Sequence, residues 1–250
     1  MTNDVLSQLI QMSRALGDPA KDYVILGEGN TSARADDETF WVKASGASLA
    51  AITAPDFVRV RFAPVLAMLD EPQLGDEEIK QRLTAARTDA AAGYPSIETM
   101  LHALALSLPG VHFVGHTHPV AVNVILCSQG VEEAIRGRLF PEEVTFCGPA
   151  PAYVPYADPG LPLARRVREA LMAHVEKWGE PPKVVLMQNH GLIALGGTAT
   201  EVETITAMYV KTARVLLGTF ALGGPHFMSE QDVARIHTRP DEVLRRQRLT

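Results

Sequence analysis

Apolar residues at helical spacing predict an amphipathic helix over residues 4–16, near the start of the chain. The residues that share this face are Leu6, Leu9, Ile10 and Leu16. Two short apolar runs follow at 23–26 and 40–43, and their length predicts strands separated by a polar, glycine-bearing turn. Residues 53–95 mix proline, glycine and charge, which predicts short helices around a mobile excursion.

The pattern is more regular in the second half of the chain. Residues 96–108 predict a helix that begins at Ser96, a residue type suited to N-capping, directly after Pro95. The β-prone segments VHFVGH and KVVLMQ predict strands, whereas the apolar AVNVILC predicts a packed helix. Two more helices are predicted, near 160–177 and at 199–219. Strands that alternate with helices predict a layered α/β domain.

The amino-acid composition is typical of one globular domain. The chain has 250 residues, with 46% hydrophobic and 21% charged residues, which is enough to bury one substantial core. We therefore expect a single domain over 1–250, with 225–250 as a C-terminal extension that is either a solvated tail or a contact to a neighbouring subunit. The formal net charge of −6 and the lack of a basic block argue against a nucleic-acid partner.

The two cysteines and the apolar runs suggest where the protein works. Cys127 and Cys147 are too few for a disulfide framework, and they do not have CxxC metal spacing. The N-terminal segment lacks the basic and apolar regions of a signal peptide, and no run of about 18 apolar residues predicts a membrane span. We expect a cytoplasmic protein with no membrane partner.

His116 and His118 form an H-x-H pair at the end of a predicted strand. Side chains at i and i+2 lie on the same face of a strand, so both imidazoles can reach one metal ion. The competing interpretation is a polar strand end with solvated histidines. His190 follows the apolar strand KVVLMQ and precedes Gly191, and by itself it is equally compatible with a core histidine bonded to backbone. Three histidines together would leave an open coordination position, which is typical of catalytic zinc.

Glu98 lies in the first turn of a predicted helix, 18 residues before His116 (116 − 98). It is either a carboxylate that stabilises the helix N-terminus by about 0.3–1 kcal/mol, or a metal ligand and proton-transfer group. Two turns, GEGNTS and SGAS, add backbone donors that could bind an anion, as does Ser96 at a helix start. A plain tight turn is the competing interpretation of each.

Five short motifs resemble one known family when they are taken in order. They are G-N-T-S at 29–32, A-S-G at 44–46, P-S-I-E at 95–98, H-T-H-P at 116–119 and N-H-G-L at 189–192. Together they resemble the class II aldolase and adducin family, which includes fuculose-phosphate and rhamnulose-phosphate aldolases. The resemblance extends from residue 5 to residue 220.

The resemblance implies a three-layer αβα domain around a mainly antiparallel central sheet. It also implies one divalent metal ion per subunit, usually Zn²⁺, on His116, His118 and His190. Glu98 matches the family's glutamate that lies on the metal at rest and acts as acid and base in turnover. The positions that match the family's phosphate-binding residues are Asn30, Ser32, Ser45, Gly46 and Ser96. Tyr156, in PYADPG, falls near a family tyrosine.

The implied activity is reversible aldol cleavage of a ketose phosphate or related sugar to dihydroxyacetone phosphate and an aldehyde, in a homotetramer. Relatives use the same metal site for dehydration, decarboxylation or 4-epimerisation, although the epimerase usually has aspartate at the position of Glu98. Adducin heads are non-catalytic assembly modules that lack the metal histidines. A metallohydrolase of another fold remains a competitor, but the other histidines show no grouping that would support it.

Two features depart from the family pattern. Residues 49–94 form a longer segment than in the compact sugar-phosphate aldolases. Ile97 stands where the family has a second serine before the glutamate, which removes one phosphate donor. The sequence therefore leaves open whether the substrate is phosphorylated.

Overall fold

A computed structural model of the chain describes residues 2–249. The strands are β1 (Asn30–Arg34), β2 (Thr39–Lys43), β3 (Phe57–Arg61), β4 (Phe113–Thr117), β5 (Ala152–Val154), β6 (Val184–Met187) and β7 (Gly191–Gly196). The helices in the same part of the chain are α1 (Thr2–Leu16), α2 (Phe62–Ala67), α3 (Asp76–Ala85), α4 (Thr99–Leu106), α5 (Val120–Leu126), α6 (Val131–Ile135), α7 (Pro141–Cys147), α8 (Leu161–Trp178), α9 (Ala199–Phe220), α10 (Glu230–Thr238) and α11 (Pro240–Leu249). Between residues 2 and 249, none of the helices has the length and apolar content that a membrane crossing requires.

The strands form one sheet with the order β3-β2-β1-β4-β7-β6-β5. Neighbouring strands are antiparallel, except that β5 and β6 are parallel. In this register Asn30 of β1 is paired with His116 of β4, and His116 is paired with Ile193 of β7. The pairing therefore places two of the predicted site residues side by side at the centre of the sheet.

Apolar side chains bury both faces of the sheet beneath helices. One core joins the sheet to α2, α3, α4 and α8, with Met100 and Leu171 among its members. The other joins it to α1, α5, α6, α7 and α9, and includes Met12 and Ile205. Since successive strand residues point to opposite faces, β6 contributes to both cores. The predicted three-layer αβα domain with a mainly antiparallel sheet is confirmed.

Local signals set the ends of the long helices. The Thr198 side chain accepts a hydrogen bond from the backbone of Glu201 at 3.0 Å and caps the N-terminus of α9. Gly179 adopts the left-handed conformation, with φ of 72°, and ends α8. The helices predicted over 4–16, near 160–177 and at 199–219 correspond to α1, α8 and α9.

Residues 23–26 are not the strand that their apolar letters predicted. Ile25 and Leu26 are 60% and 87% exposed, so the run is not buried in the sheet. The Glu28 backbone N–H donates to the Ile25 carbonyl at 3.0 Å, and Leu26 has φ of 52°. Residues 25–28 form a tight turn through this local hydrogen bond, and the strand begins only at Asn30.

The helix predicted from residue 96 begins later, at Thr99. Ser96 starts a turn instead, since its carbonyl accepts from the Thr99 backbone at 3.0 Å. Glu98 lies between the turn and the helix with φ of −84° and ψ of 6°, outside the helical region.

The two segments with the least regular hydrophobic pattern both contain helices. The stretch 53–95 contains short helices, as predicted, and also the edge strand β3, which was not predicted. The stretch 225–250 contains α10 and α11, and Val233 and Ile236 of α10 pack against Val144 of α7. It is therefore docked on the domain and is not a solvated tail over its described residues.

Candidate metal centre

Three imidazole rings converge where β4 ends and where the chain turns from β6 into β7. His116 lies in β4, His118 follows it, and His190 lies in the turn. The ring centroids are 4.6, 5.0 and 5.1 Å apart, and one nitrogen of each ring lies within 4.8 Å of the others. The donor set fits a divalent ion, since three imidazoles with a free coordination position are typical of catalytic zinc.

The main chain fixes the orientation of the His116 ring. Its Nδ1 donates to the Leu192 carbonyl at 3.0 Å, because a carbonyl oxygen only accepts. Its Nε2 therefore carries the free lone pair and lies 2.9 Å from His118 Nε2. Burial lowers the pKa of His116 to about 4. Burial, followed by the charges of the two neighbouring rings, lowers the pKa of His118 to about 3. Both rings are neutral at pH 7, as metal ligands must be.

Glu98 reaches the same cluster from the turn before α4. Its Oε1 lies 3.1 Å from His190 Nε2 and its Oε2 lies 3.6 Å from His116 Nε2. Burial acts to raise the pKa of Glu98, but the charges of both histidines and the hydrogen bonds from His190 and Asn30 outweigh it, and the pKa falls below its ordinary value. An ionised carboxylate therefore stands beside the three imidazoles.

Behind Glu98 lies a histidine that the sequence analysis did not select. His102 of α4 is fully buried, with Nε2 bonded to Asn30 Oδ1 and Nδ1 bonded to Ser32 Oγ at 2.7 Å. Because an amide oxygen only accepts, His102 Nε2 carries the proton and Ser32 donates to Nδ1. Burial lowers the pKa of His102 to about 4, so the ring stays neutral. This bonding fixes the Asn30 amide with its NH₂ group 2.6 Å from Glu98 Oε2.

Lys43 is a second residue that the pattern did not single out. It is 3% exposed, and its Nζ donates to the Ala47 carbonyl at 2.7 Å and to the Gly27 carbonyl at 3.5 Å. It thus joins the GEGN turn to the SGAS turn. Burial lowers the pKa of Lys43, and the nearby carboxylate of Glu98 acts in the opposite direction. The lysine places a cationic group between the two predicted donor turns.

The predicted substrate-binding residues lie at different distances from Glu98 and the histidines. Ser96 Oγ lies 3.4 Å from Asn30 Nδ2, so these two are next to Glu98. Ser32 is fully buried against His102, and binding a substrate phosphate would require that hydrogen bond to break. Ser45 and Gly46 lie in an exposed turn, with Gly46 at φ of 81°.

Tyr156 is not among the residues that converge on the histidines. Its side chain is 59% exposed, and its hydroxyl donates to Asp158 Oδ1 at 3.3 Å. Its backbone N–H donates to Gln188 Oε1 at 3.1 Å, which places it beside the end of β6. Its predicted contact with substrate stays a prediction.

Gly191 allows β7 to approach the histidines closely. A Cβ added there would lie 2.6 Å from the Thr117 carbonyl and 2.7 Å from His118 Cδ2. Distances this short are excluded for real side chains, so the turn that carries His190 can reach β4 only with glycine at this position.

Comparison with known proteins gives a consistent result. The family model described as the Class II Aldolase and Adducin N-terminal domain matches residues 7–217. The oxidoreductase YuxG of Bacillus subtilis (strain 168), described as uncharacterized, is 32% identical over 203 residues, which cover 76% of this chain and 25% of that protein. A methylthioribulose-1-phosphate dehydratase of Microcystis aeruginosa is 34% identical over 98 residues, or 39% of this chain and 38% of that enzyme.

The chain thus spans a quarter of the length of YuxG and 38% of the length of the dehydratase. Among solved structures, an L-fuculose 1-phosphate aldolase superposes with a TM-score of 0.70 at 15% identity, covering 94% of each chain. At this identity the structural likeness shows a common fold.

Proposed function

Because the chain belongs to the class II aldolase and adducin family, we propose that it is a zinc-dependent lyase. The proposed reaction is the reversible aldol cleavage of a ketose phosphate or related sugar to dihydroxyacetone phosphate and an aldehyde. The observation that carries the proposal is an ionised carboxylate, Glu98, 3.1 Å from one predicted ligand and 3.6 Å from another. A purely structural module needs no such buried cluster of three imidazoles and a carboxylate.

The residues that would hold the ion are His116, His118 and His190, with Glu98 as a fourth ligand at rest. A bound divalent ion supplies Lewis acidity, which stabilises negative charge on the substrate oxygens by several kcal/mol. Glu98 would transfer the proton at the substrate carbon next to the carbonyl, giving it to the enediolate in cleavage and removing it in condensation. General acid–base catalysis of this kind contributes about 10²–10⁴-fold.

Asn30 and His102 would keep Glu98 oriented for this transfer. The Asn30 NH₂ group donates to Glu98 Oε2 at 2.6 Å, which leaves Oε1 directed toward His190. A carboxylate held by one oxygen keeps its other oxygen in a fixed direction, which favours proton transfer along one line.

The test is the exchange of the α-proton of dihydroxyacetone phosphate with deuterium in D₂O, followed by NMR on zinc-loaded protein. We expect Glu98→Gln to retain zinc and to lose exchange by at least about 100-fold. Glu169→Gln is the matched control, since Glu169 is an exposed side chain paired with Arg166 on α8. Exchange by Glu98→Gln at the parent rate would refute the assigned role.

A dehydratase is the second candidate, supported by the 34% identity over 98 residues to the Microcystis enzyme. Its reaction would remove water from a sugar phosphate and leave the carbon chain intact. Product analysis on a panel of ketose phosphates and acid-sugar phosphates separates the two, because cleavage gives an aldehyde and a shorter ketone. A chelator should abolish either reaction. Product analysis on the same panel also tests for 4-epimerisation and for decarboxylation.

We further propose a homotetrameric, cytoplasmic protein. Exposed apolar side chains lie next to His118, where a neighbouring subunit would cover them. They are Ile25, Val120 and Val124, each more than half exposed, and they line one groove together with His118. Cys127 and Cys147 are both free, which suits a reducing compartment. Light scattering tests the tetramer: a monomer at micromolar concentration would refute it.

A further inference from the structure

The turn between β6 and β7 has a left-handed backbone at the residue before His190. Met187 is paired with Gly191 across the two strands, and the His190 backbone N–H donates to the Met187 carbonyl at 3.2 Å. Asn189 is the third residue of the four-residue turn that this hydrogen bond closes, and it has φ of 54°. A type II turn has a positive φ at its third residue, where glycine or asparagine is preferred. Since φ and ψ are the soft dihedrals of the backbone, the conformation of Asn189 sets the direction in which the chain enters His190.

The helix α5 connects this turn to the segment that carries the second histidine. It begins at Val120, directly after the residue that follows His118, and ends at Leu126. The last carbonyls of a helix have no partner within the helix, and here the Leu126 carbonyl accepts from the Asn189 backbone N–H at 3.2 Å. This hydrogen bond requires the Asn189 N–H to point toward α5. The backbone conformation of Asn189 therefore joins the segments of His118 and His190.

The side chain of Asn189 takes no part in these contacts. It is exposed, and it makes no hydrogen bond with any other residue of the described range 2–249. Its backbone gives a physical reason for asparagine at this position, because asparagine enters the left-handed region far more readily than most residues with a Cβ.

The His190 ring lacks the main-chain hydrogen bond that orients the His116 ring. His116 Nδ1 donates to the Leu192 carbonyl at 3.0 Å, whereas no backbone carbonyl in the described part of the chain accepts from the His190 ring. The His190 ring instead faces Glu98, with 3.1 Å between Nε2 and Oε1, and the proposed function frees this carboxylate for proton transfer. Metal-binding histidines are usually oriented by a hydrogen bond from the second ring nitrogen. The direction of the His190 ring therefore depends more on its own backbone.

We propose that Asn189 is a positioning residue of the metal centre, whose left-handed backbone holds His190 within reach of the ion at His116 and His118. The main chain carries this role, so glycine can replace Asn189 and an ordinary L residue cannot. With such a residue the free protein would adopt the binding-competent turn only part of the time, and the apparent zinc affinity falls by that fraction. The assignment rests on the metal site of the proposed function and adds a residue outside the ligand set.

The test compares the zinc affinity of the parent with that of Asn189→Gly, Asn189→Ala and Asn189→Val, by competition with a chromophoric chelator. Asn189→Gly should bind zinc within about twofold of the parent, because glycine populates the left-handed region freely. Asn189→Ala should bind about tenfold more weakly, or about 1.4 kcal/mol, which lies within the cost of this conformation for an L residue. Asn189→Val should lose at least as much, since β-branched residues are outliers there. If glycine weakens binding as much as alanine does, the side chain carries the role and the proposal is overturned.

Gly179→Ala is the matched control for backbone strain. Gly179 ends α8 with φ of 72°, and a Cβ added there would meet no atom within 4 Å. The variant thus places alanine in the same left-handed region, but before β6 instead of in the turn that carries His190. It should lower the unfolding free energy, as Asn189→Ala does, and keep the zinc affinity of the parent. A loss of zinc affinity in Gly179→Ala as large as in Asn189→Ala would show a general effect of destabilisation and overturn the proposal.

Amide hydrogen exchange on metal-free protein gives a readout that needs neither zinc nor activity. The amide of residue 189 is hydrogen-bonded to the Leu126 carbonyl, so it should be protected in the parent and in Asn189→Gly. Its protection factor should fall at least about tenfold in Asn189→Ala, where the turn opens. Unchanged protection in Asn189→Ala contradicts the proposal.

The two proposals fail in different ways. A parent protein that takes up no zinc refutes the proposed function and, with it, the positioning of a ligand. A zinc-binding lyase whose affinity is the same in all the Asn189 variants refutes only the role of Asn189.

Discussion

The hydrogen bond between Ser32 and His102 allows the polar network behind Glu98 to be tested by a double-mutant cycle. Ser32 is fully buried and so is His102, and their contact is 2.7 Å long. His102→Phe keeps the ring volume but leaves both Ser32 Oγ and Asn30 Oδ1 without a partner. A buried polar group without a partner costs about 1–3 kcal/mol, so this variant should lose about 2–6 kcal/mol of unfolding free energy.

Ser32→Ala orphans only the His102 Nδ1 and should lose about 1–3 kcal/mol. In the double variant neither member of the pair is left, so its loss should be smaller than the sum of the single losses by at least about 1 kcal/mol. Urea unfolding of metal-free protein at pH 8 measures each corner of the cycle. His102→Phe with Val215→Ser is the control pair and should be additive, because Val215 is 41% exposed on α9, in the opposite helix layer. Additivity of the Ser32 and His102 losses within about 0.5 kcal/mol would refute the reasoning.

Three further predictions concern the site and the pH dependence of stability. Gly191→Ala should weaken zinc binding at least about tenfold, because its Cβ would displace the His118 ring. Competition with a chromophoric chelator measures this loss. The control is Gly218→Ala, which has open space around it and should stabilise α9 by about 0.5–1 kcal/mol. Chelation should lower the melting temperature by about 5–10 °C if zinc is present at about 100 times its Kd, and His116→Ala should show no such shift. Burial lowers the pKa of His174 from 6.5 to about 4, so the unfolded chain binds the extra proton between these values and stability falls as pH falls through this window. In this pH window, His174→Phe should reduce the slope of the unfolding free energy against pH by the equivalent of about one proton. A slope equal to the parent's would contradict this account.

The clustering of His116 and His118 could be predicted because its signal is local. An H-x-H at a strand end needs no knowledge of the rest of the fold, and the structure places His116 and His118 with ring centroids 4.6 Å apart. His102 could have been selected from its spacing, since it lies four residues after Glu98 (102 − 98), the interval of one helix face. His102 does not share the ligand pattern of the other histidines, because it acts through a hydrogen bond to Asn30.

The central strand β1 buries polar residues and the turn before it exposes apolar ones, which is the reverse of the usual pattern. Thr31 and Ser32 are polar yet fully buried, and this is possible because Ser13 and His102 provide hydrogen-bond partners for their hydroxyls. Ile25 is apolar yet exposed. Hydrogen-bond partners from distant segments and an exposed apolar turn are not encoded in local periodicity, so the pattern predicted a strand at the wrong place.

The location of the third histidine has a consequence for the order of events during synthesis. His118 and His190 are separated by 72 residues (190 − 118), and they meet only after β4 and β7 have paired. Closing so long a loop in an unfolded chain is entropically costly, so the H-x-H pair alone would hold the proposed zinc ion weakly. A nascent chain should therefore compete poorly for cellular zinc until His190 has emerged from the ribosome and the sheet has closed. Acquisition of the metal would then mark the completed fold, and incomplete chains would leave the zinc pool undisturbed.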